Sequence, residues 1–269
     1  MTIFDAFERR AWAGQAELYG RTYGVLCGYP VADLLDAAGV REGVRVLDAG
    51  TGTGTAAAAA RARGAAVTAV DAEPSMVEAA AKAVPEAVVR LASLPELPFP
   101  EGHFDAVVGN FVLNHVGRPL VALREVARVV RPGGRVAFTL WTSPHAAGQA
   151  LFGRAVQAAG VPRPAGLPAL DPSDDFPRTQ EGVALLLEGA GFAGAVCATL
   201  AWDHVVDPEV WWQGPAGGIA SIGQLIASQP PETVASVRRH FDLLAAEFRT
   251  PQGLLALPHT ALLASAVRP

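Results

Sequence analysis

The most constraining feature of the chain is a seven-residue run, Asp48-Ala49-Gly50-Thr51-Gly52-Thr53-Gly54, set between an apolar segment and an alanine-rich one. Val44 to Ala49 has the composition of a buried strand, and the alanines after Gly54 predict a helix running to Arg63 and stopping at Gly64. A strand, a glycine loop and a helix in that order present bare backbone and free N–H groups to a ligand. Asp71 ends the next apolar run, 23 residues beyond Asp48, where a carboxylate accepts hydrogen bonds from both hydroxyls of a ribose. The pattern points to an adenosine-containing ligand.

The rest of the first half keeps the same rhythm, as parallel βαβ units do. Val67 to Val70 reads as the second strand. Pro74 opens a helix towards Val84, Ala87 to Leu91 is a weak third strand, and Phe104 to Asn110 is a strong fourth one. From Pro119, the residues Leu120, Leu123, Val126 and Val130 share one helical face. Pro132, Gly133 and Gly134 are expected to end that helix before a fifth strand, Arg135 to Trp141. Gln180 to Leu200 reads as helix, turn at Gly191 and strand, and Ala261 to Val267 as a last strand.

Three segments break the rhythm. Residues 1–43 are expected to be an N-terminal helical cap, with 44–269 the main domain. Within that domain, 143–179 (irregular, with Pro162, Pro164, Pro168, Pro172 and Pro177) and 207–252 (mostly helical) are expected to cover the substrate.

Two details bear on the ligand. The dinucleotide spacing G-x-G-x-x-G is not met, because Thr55 stands at its third glycine position. Asp48 before the loop would repel a pyrophosphate but attract a cationic amino-acid head. S-adenosylmethionine has such a head, a sulfonium and no phosphate. Val46-Leu47-Asp48-Ala49-Gly50-Thr51-Gly52 resembles the first motif of the class I S-adenosylmethionine-dependent methyltransferases, and Val70 to Met76 resembles their second. Leu97 to Asp105, Glu125 to Gly134 and Gly189 to Phe192 resemble further stretches of the ubiquinone-biosynthesis-type subgroup of bacterial secondary metabolism.

The resemblance implies a Rossmann-like, mostly parallel α/β sheet of seven strands in the order 3-2-1-4-5-7-6. It implies that Asp48, Gly50, Thr51 and Gly52 hold the methionine portion of the cofactor. Asp71 would hold the ribose, with Ala72 beside it, and Met76 would pack on the adenine. Asn110 would lie beside the sulfur. Relatives carry Asp-Ala where this chain has Ser93-Leu94, so here a hydroxyl and the Leu94 N–H take the adenine.

His115, just past the fourth strand, is a candidate base. Tyr19 is a candidate cover for the reactive methyl group, and Tyr23, four residues on, shares its face. Tyr23, Trp141, His145 and Trp211 are expected to line an acceptor pocket, with core packing the rival role for each aromatic. The aromatic character of the covering segments suggests a small aromatic or hydrophobic acceptor, methylated at carbon, oxygen or nitrogen. A cyclase or ligand-binding protein on the same fold stays open, as does, less favoured, a nicotinamide-dependent oxidoreductase.

Composition narrows the partners. A net charge of −5, without a dense basic run, argues against nucleic acid. No apolar stretch is long enough to span a bilayer, and the start carries Asp5 and Glu8 where a signal peptide needs basic and apolar residues. Cys27 and Cys197 read as reduced thiols. A cytoplasmic protein without a metal, pairing as a homodimer, is the expectation.

Overall fold

The apolar runs become the strands of one sheet, seen in a computed structural model that describes residues 2–162 and 168–269. In chain order the elements are α1 (Ile3–Trp12), α2 (Ala16–Arg21), α3 (Tyr23–Gly28), α4 (Val31–Ala37), β1 (Arg45–Ala49), α5 (Thr55–Ala62), β2 (Ala66–Asp71), α6 (Pro74–Ala83), β3 (Val88–Leu91) and β4 (Phe104–Asn110). A single 3-10 turn, Val112–His115, leads to α7 (Pro119–Val129), β5 (Val130–Trp141), α8 (Leu151–Ala158), α9 (Gln180–Gly189) and β6 (Ala193–Val206). Last come α10 (Pro208–Ala216), α11 (Ala220–Ala227), α12 (Pro231–Ala245), a 3-10 turn at Ala246–Phe248, and β7 (Leu255–Val267).

The sheet has the expected order, β3-β2-β1-β4-β5-β7-β6, with β7 antiparallel to both neighbours. Parallel strands at its centre are covered on both faces, so their sequences are near-continuously apolar. One core layer packs α7 and α9 on the sheet through Leu123, Val126, Val183 and Leu187. The opposite layer packs α4 and α5 through Leu34, Leu35, Ala57 and Ala60. A third cluster joins α8, α10, α11 and α12 to the far ends of β6 and β7.

Several boundaries differ from the sequence reading. Inside the stretch read as irregular lies α8, which buries Leu151, Phe152, Ala155 and Val156. The prolines after residue 160 hide that short amphipathic face. Pro164 lies outside the described residues. α7 ends at Val129, and Pro132 to Gly134 sit in a bulged start of β5 opposite Phe104 and Ala106.

β6 and β7 run on past Leu200 and Ala261 as an antiparallel pair that sets Trp202 against His259 and Val206 against Leu255. Pro258 is tolerated there because its edges face away from β6. The Pro258 carbonyl accepts from Gly148 N–H at 3.0 Å, and Thr260 N–H donates to Gln149 Oε1 at 2.9 Å. No helix among the described residues is long and apolar enough to cross a membrane.

Candidate active site

The carboxyl ends of β1, β2 and β4 converge on one cavity of about 450 Å³. That volume lies within the usual range for small-molecule sites. The glycine loop forms its floor. Gly50 and Thr51 N–H both donate to Val70 O at 2.9 Å, and Gly52 N–H donates to Asp71 Oδ2 at 2.8 Å. Asp71 Oδ1 accepts from Glu73 N–H at 3.0 Å, so its carboxylate ties the two loops together. Gly50 has φ +71°, and a Cβ there would lie 2.3 Å from Val112 Cγ2. Only glycine lets the β4 turn close over the loop.

Asp48 is fully buried beneath that floor rather than on the cavity wall. Thr51 lies with it, its hydroxyl donating to Asp48 Oδ2 at 2.7 Å. Asp48 Oδ1 has no hydrogen-bond partner among the described residues. Burial pushes the Asp48 carboxyl up to about 6, against the Thr51 hydrogen bond, and the nearby Asp71 adds to the rise. Burial raises Asp71 too, opposed by the loop N–H groups. Two carboxylates under a loop, one with an unpartnered oxygen, form an anionic floor that suits an ammonium or sulfonium and repels phosphate. The donor set therefore fits a cationic adenosyl amino acid. Ala72, Met76, Ser93 and Leu94 line the cavity beyond Asp71.

α1 lies across the cavity mouth, and none of its residues is buried. Polar contacts hold it in place. Asp5 Oδ1 accepts from Gly117 N–H at 2.7 Å, and Arg9 Nη2 donates to Ser93 Oγ at 2.8 Å. Just past the helix, Gly14 N–H donates to Glu73 Oε1 at 3.2 Å. Glu8 Oε2 lies 2.6 Å from His115 Nδ1 and accepts from Trp12 Nε1 at 3.1 Å. As the carboxylate accepts, His115 donates from Nδ1, and its Nε2 is left on the side of the ring away from Glu8. Glu8, Arg9 and Trp12 all line the cavity and were missed in the sequence. Their i, i+1 and i+4 spacing was visible there, but the face it would turn to was not.

Tyr19 lies over Gly52, and Tyr23, Cys27, Phe111, Trp141 and Ala220 continue the cavity wall. Phe111 adopts φ 59° and stacks on Trp141 with ring centroids 3.9 Å apart. The Asn110 amide is held on both sides: Nδ2 donates to Cys27 O at 2.7 Å, and Oδ1 accepts from Thr139 Oγ1 at 2.6 Å. Burial and the neighbouring Cys27 thiol hold the Tyr19 phenol well above its usual range, so it stays protonated.

Two of the expected pocket residues do not reach this wall. Trp211 is 2% exposed and lies behind Tyr23, ring centroids 4.8 Å apart, because α10 turns it into the third core cluster. His145 is exposed beyond the end of β5, whose last residue, Trp141, occupies the wall instead.

An open α/β sheet with a glycine loop, two carboxylates and a cavity at its switch point defines a nucleoside-binding enzyme fold. Residues 47–138 match the methyltransferase domain family. The demethylmenaquinone methyltransferase of Beutenbergia cavernae is 37% identical over 169 residues, covering 60% of this chain and 70% of that protein. The enzyme of the same name from Tropheryma whipplei is 34% identical over 213 residues, covering 73% and 88%. Among solved structures, the YcgJ protein of Bacillus subtilis superposes with a TM-score of 0.57 at 20% identity, over 88% of this chain and 97% of that one. The chain belongs to the class I S-adenosylmethionine-dependent methyltransferases. It is a small-molecule methyltransferase with S-adenosylmethionine as its cofactor.

Proposed function

We propose that the acceptor is a small, electron-rich aromatic compound. The observation that carries this reading is the set of rings on the cavity wall: Tyr19, Tyr23, Phe111 and Trp141 all line it, with Phe111 stacked on Trp141. Such walls favour a flat, neutral ring. The name of the relatives, demethylmenaquinone methyltransferase, is in keeping with that class.

When bound, S-adenosylmethionine supplies an electrophilic methyl group on a sulfonium. The chain's own residues position and protect it. In this reading Asp48, through Thr51 and the loop, fixes the amino-acid head with Gly50 and Gly52, and Asp71 takes the ribose. Ala72, Met76, Ser93 and Leu94 hold the adenine, with Arg9 steering the Ser93 hydroxyl. Asn110, locked by Cys27 and Thr139, stands beside the sulfur. Tyr19 closes over the methyl group and α1 excludes water. His115 Nε2, oriented by Glu8, accepts a proton when the acceptor loses one.

Calorimetric titration with S-adenosylhomocysteine, followed by methyl-transfer assays on phenols, naphthols and hydroquinones, tests the reading. Methylated product from this panel supports it. Micromolar binding of S-adenosylhomocysteine with no product from any ring, alongside turnover of a charged aliphatic amine, overturns it.

A further inference from the structure

Behind the aromatic wall lies a second layer that the cofactor half of the site does not use. In the antiparallel pair of β6 and β7, Trp202 stands opposite His259 and His204 opposite Leu257, while Trp141 of β5 stands opposite Ala261. Paired residues, and residues two apart on a strand, share a face. Trp141, Trp202, His204 and His259 therefore project from one side of the sheet, and α10 lowers Trp211 onto them. The rings touch: His204 lies 4.9 Å from Trp211 and 6.0 Å from His259, and Trp202 lies 6.2 Å from both His259 and Trp141.

Most of the layer is buried: His204 is 1% exposed, His259 and Trp211 are each 2% exposed, and Trp202 is half-buried. It is also unsatisfied: Trp202 Nε1, Trp211 Nε1 and both ring nitrogens of His204 have no hydrogen-bond partner among the described residues. His259 Nδ1 donates to Leu257 O at 2.8 Å, which leaves its Nε2 as an acceptor. Each orphaned buried group costs about 1–3 kcal/mol, and native interiors hold few of them. Four on Trp202, His204 and Trp211, of which the last two are in ring contact, call for a polar guest.

The chemistry of that guest follows from the donors. Burial holds both imidazoles down to about 4, so they are neutral and the compartment carries no charge. Two indole N–H groups and one imidazole N–H look for an acceptor, and the free imidazole nitrogens look for a donor. A hydroxyl is the neutral group that does both, and the flat surrounding rings suit one carried on an aromatic ring. Access is one ring thick, because Tyr23 covers Trp211 and Trp141 covers Trp202, and both line the main cavity.

We propose that Trp202, His204, Trp211 and His259 form an inner compartment of the acceptor site that receives the hydroxyl-bearing edge of a phenolic acceptor, with the Tyr23 and Trp141 rings as its partition. The inference rests on the aromatic-acceptor reading and deepens it. The test titrates the protein, saturated with S-adenosylhomocysteine, with 2-naphthol and with 2-methoxynaphthalene, which has no hydroxyl proton. Tryptophan fluorescence and calorimetry read the binding.

The expected result is tighter binding of 2-naphthol. His204→Phe weakens it about tenfold, the effect of one hydrogen bond, and leaves 2-methoxynaphthalene within about twofold. Trp202→Phe, at a half-buried position, keeps a ring, loses the N–H and moves the same preference in the same direction. Unchanged S-adenosylhomocysteine affinity shows that each variant is folded. Equal losses for both probes, or none, overturn the inference and leave the compartment holding water only. A wild-type protein that binds S-adenosylhomocysteine but neither probe removes the aromatic-acceptor reading along with it.

Discussion

The two ends of the sheet build their sites in opposite ways. At the β1–β2–β4 end, the cavity-lining groups come from short stretches that each follow a strand: Gly50 to Gly52, Asp71 to Met76, and Asn110 onward. At the β5–β7–β6 end, Trp141, Trp202, Trp211 and His259 come from segments up to more than a hundred residues apart, joined by antiparallel strand register and by helices α8, α10, α11 and α12. Backbone groups dominate the first end and side-chain rings the second. In the proposed function the cofactor is thus held by loop geometry, while the acceptor is met by side-chain packing.

The contrast breaks most visibly if the acceptor-side helices prove dispensable. Phe241 of α12 is fully buried and stacks on Phe152 of α8, ring centroids 4.9 Å apart. Phe241→Ala is expected to cost about 3–5 kcal/mol of stability, read by urea unfolding. At a temperature where the variant is still folded, affinity for S-adenosylhomocysteine should stay near wild type while binding of aromatic acceptors falls. Parallel loss of both would mean the two ends are one cooperative unit.

At the cofactor end the largest effect should be electrostatic. The Asp48 carboxyl is raised to about 6 from its ordinary value of 3.8, so its protonated form is favoured by folding. Its contribution is present below the unfolded value and is lost as pH rises through about 6, at a cost on the order of 3 kcal/mol above that pH. Asp48→Asn should therefore stabilise the cofactor-free protein at pH 7.5 and leave it little changed at pH 4. The same change should weaken S-adenosylmethionine, whose cationic groups the charge serves. Melting temperatures of both proteins across pH 4–8, with and without cofactor, check the sign. Equal pH profiles would show that Asp48 stays ionised throughout.

A smaller loss is expected from Asp71→Ala, which frees the Gly52 and Glu73 N–H groups and removes the expected ribose contact. Roughly 2 kcal/mol, about a 30-fold rise in the dissociation constant of S-adenosylhomocysteine, should appear in calorimetry. A change under threefold would move the ribose elsewhere.

The smallest effect sharpens the boundary between the ends. Glu8→Gln still accepts from Trp12 but no longer presents a carboxylate to His115. It should lower turnover of a phenolic acceptor about fivefold, shift the pH–rate profile, and leave cofactor affinity within twofold. Glu8→Asp should recover part of the rate. A change in cofactor affinity alone would make the pair a latch for α1 and nothing more.

Much of this architecture could be read before any tertiary contact was known. β4 spans Phe104–Asn110 as expected, and Pro74 and Pro119 open their helices at N1. The departures share a cause. α8 is short and its burial depends on α12. β6 and β7 continue beyond their apolar runs because each pairs with the other as far as Val206 and Leu255. Trp211 looked like a pocket residue because a tryptophan in a variable segment is ambiguous until the side it faces is known. Glu8 stood out in the sequence only as an acidic residue near its start. His115, 107 residues away, gives it a different meaning.

The sequence by itself determined the sheet's parallel half, the glycine loop with its two carboxylates, and with them the family and the cofactor. These follow from local rules: strand and helix periods, the positive φ open to glycine, and charge placed next to a loop. The tertiary structure alone decided which aromatic side chains reach the cavity wall, that α1 is held over the cavity by polar contacts, and that four unpartnered ring nitrogens lie in one layer of packed rings. Those arrangements depend on strand register and helix packing between segments distant in the chain, where one residue of slip turns every side chain to the other face.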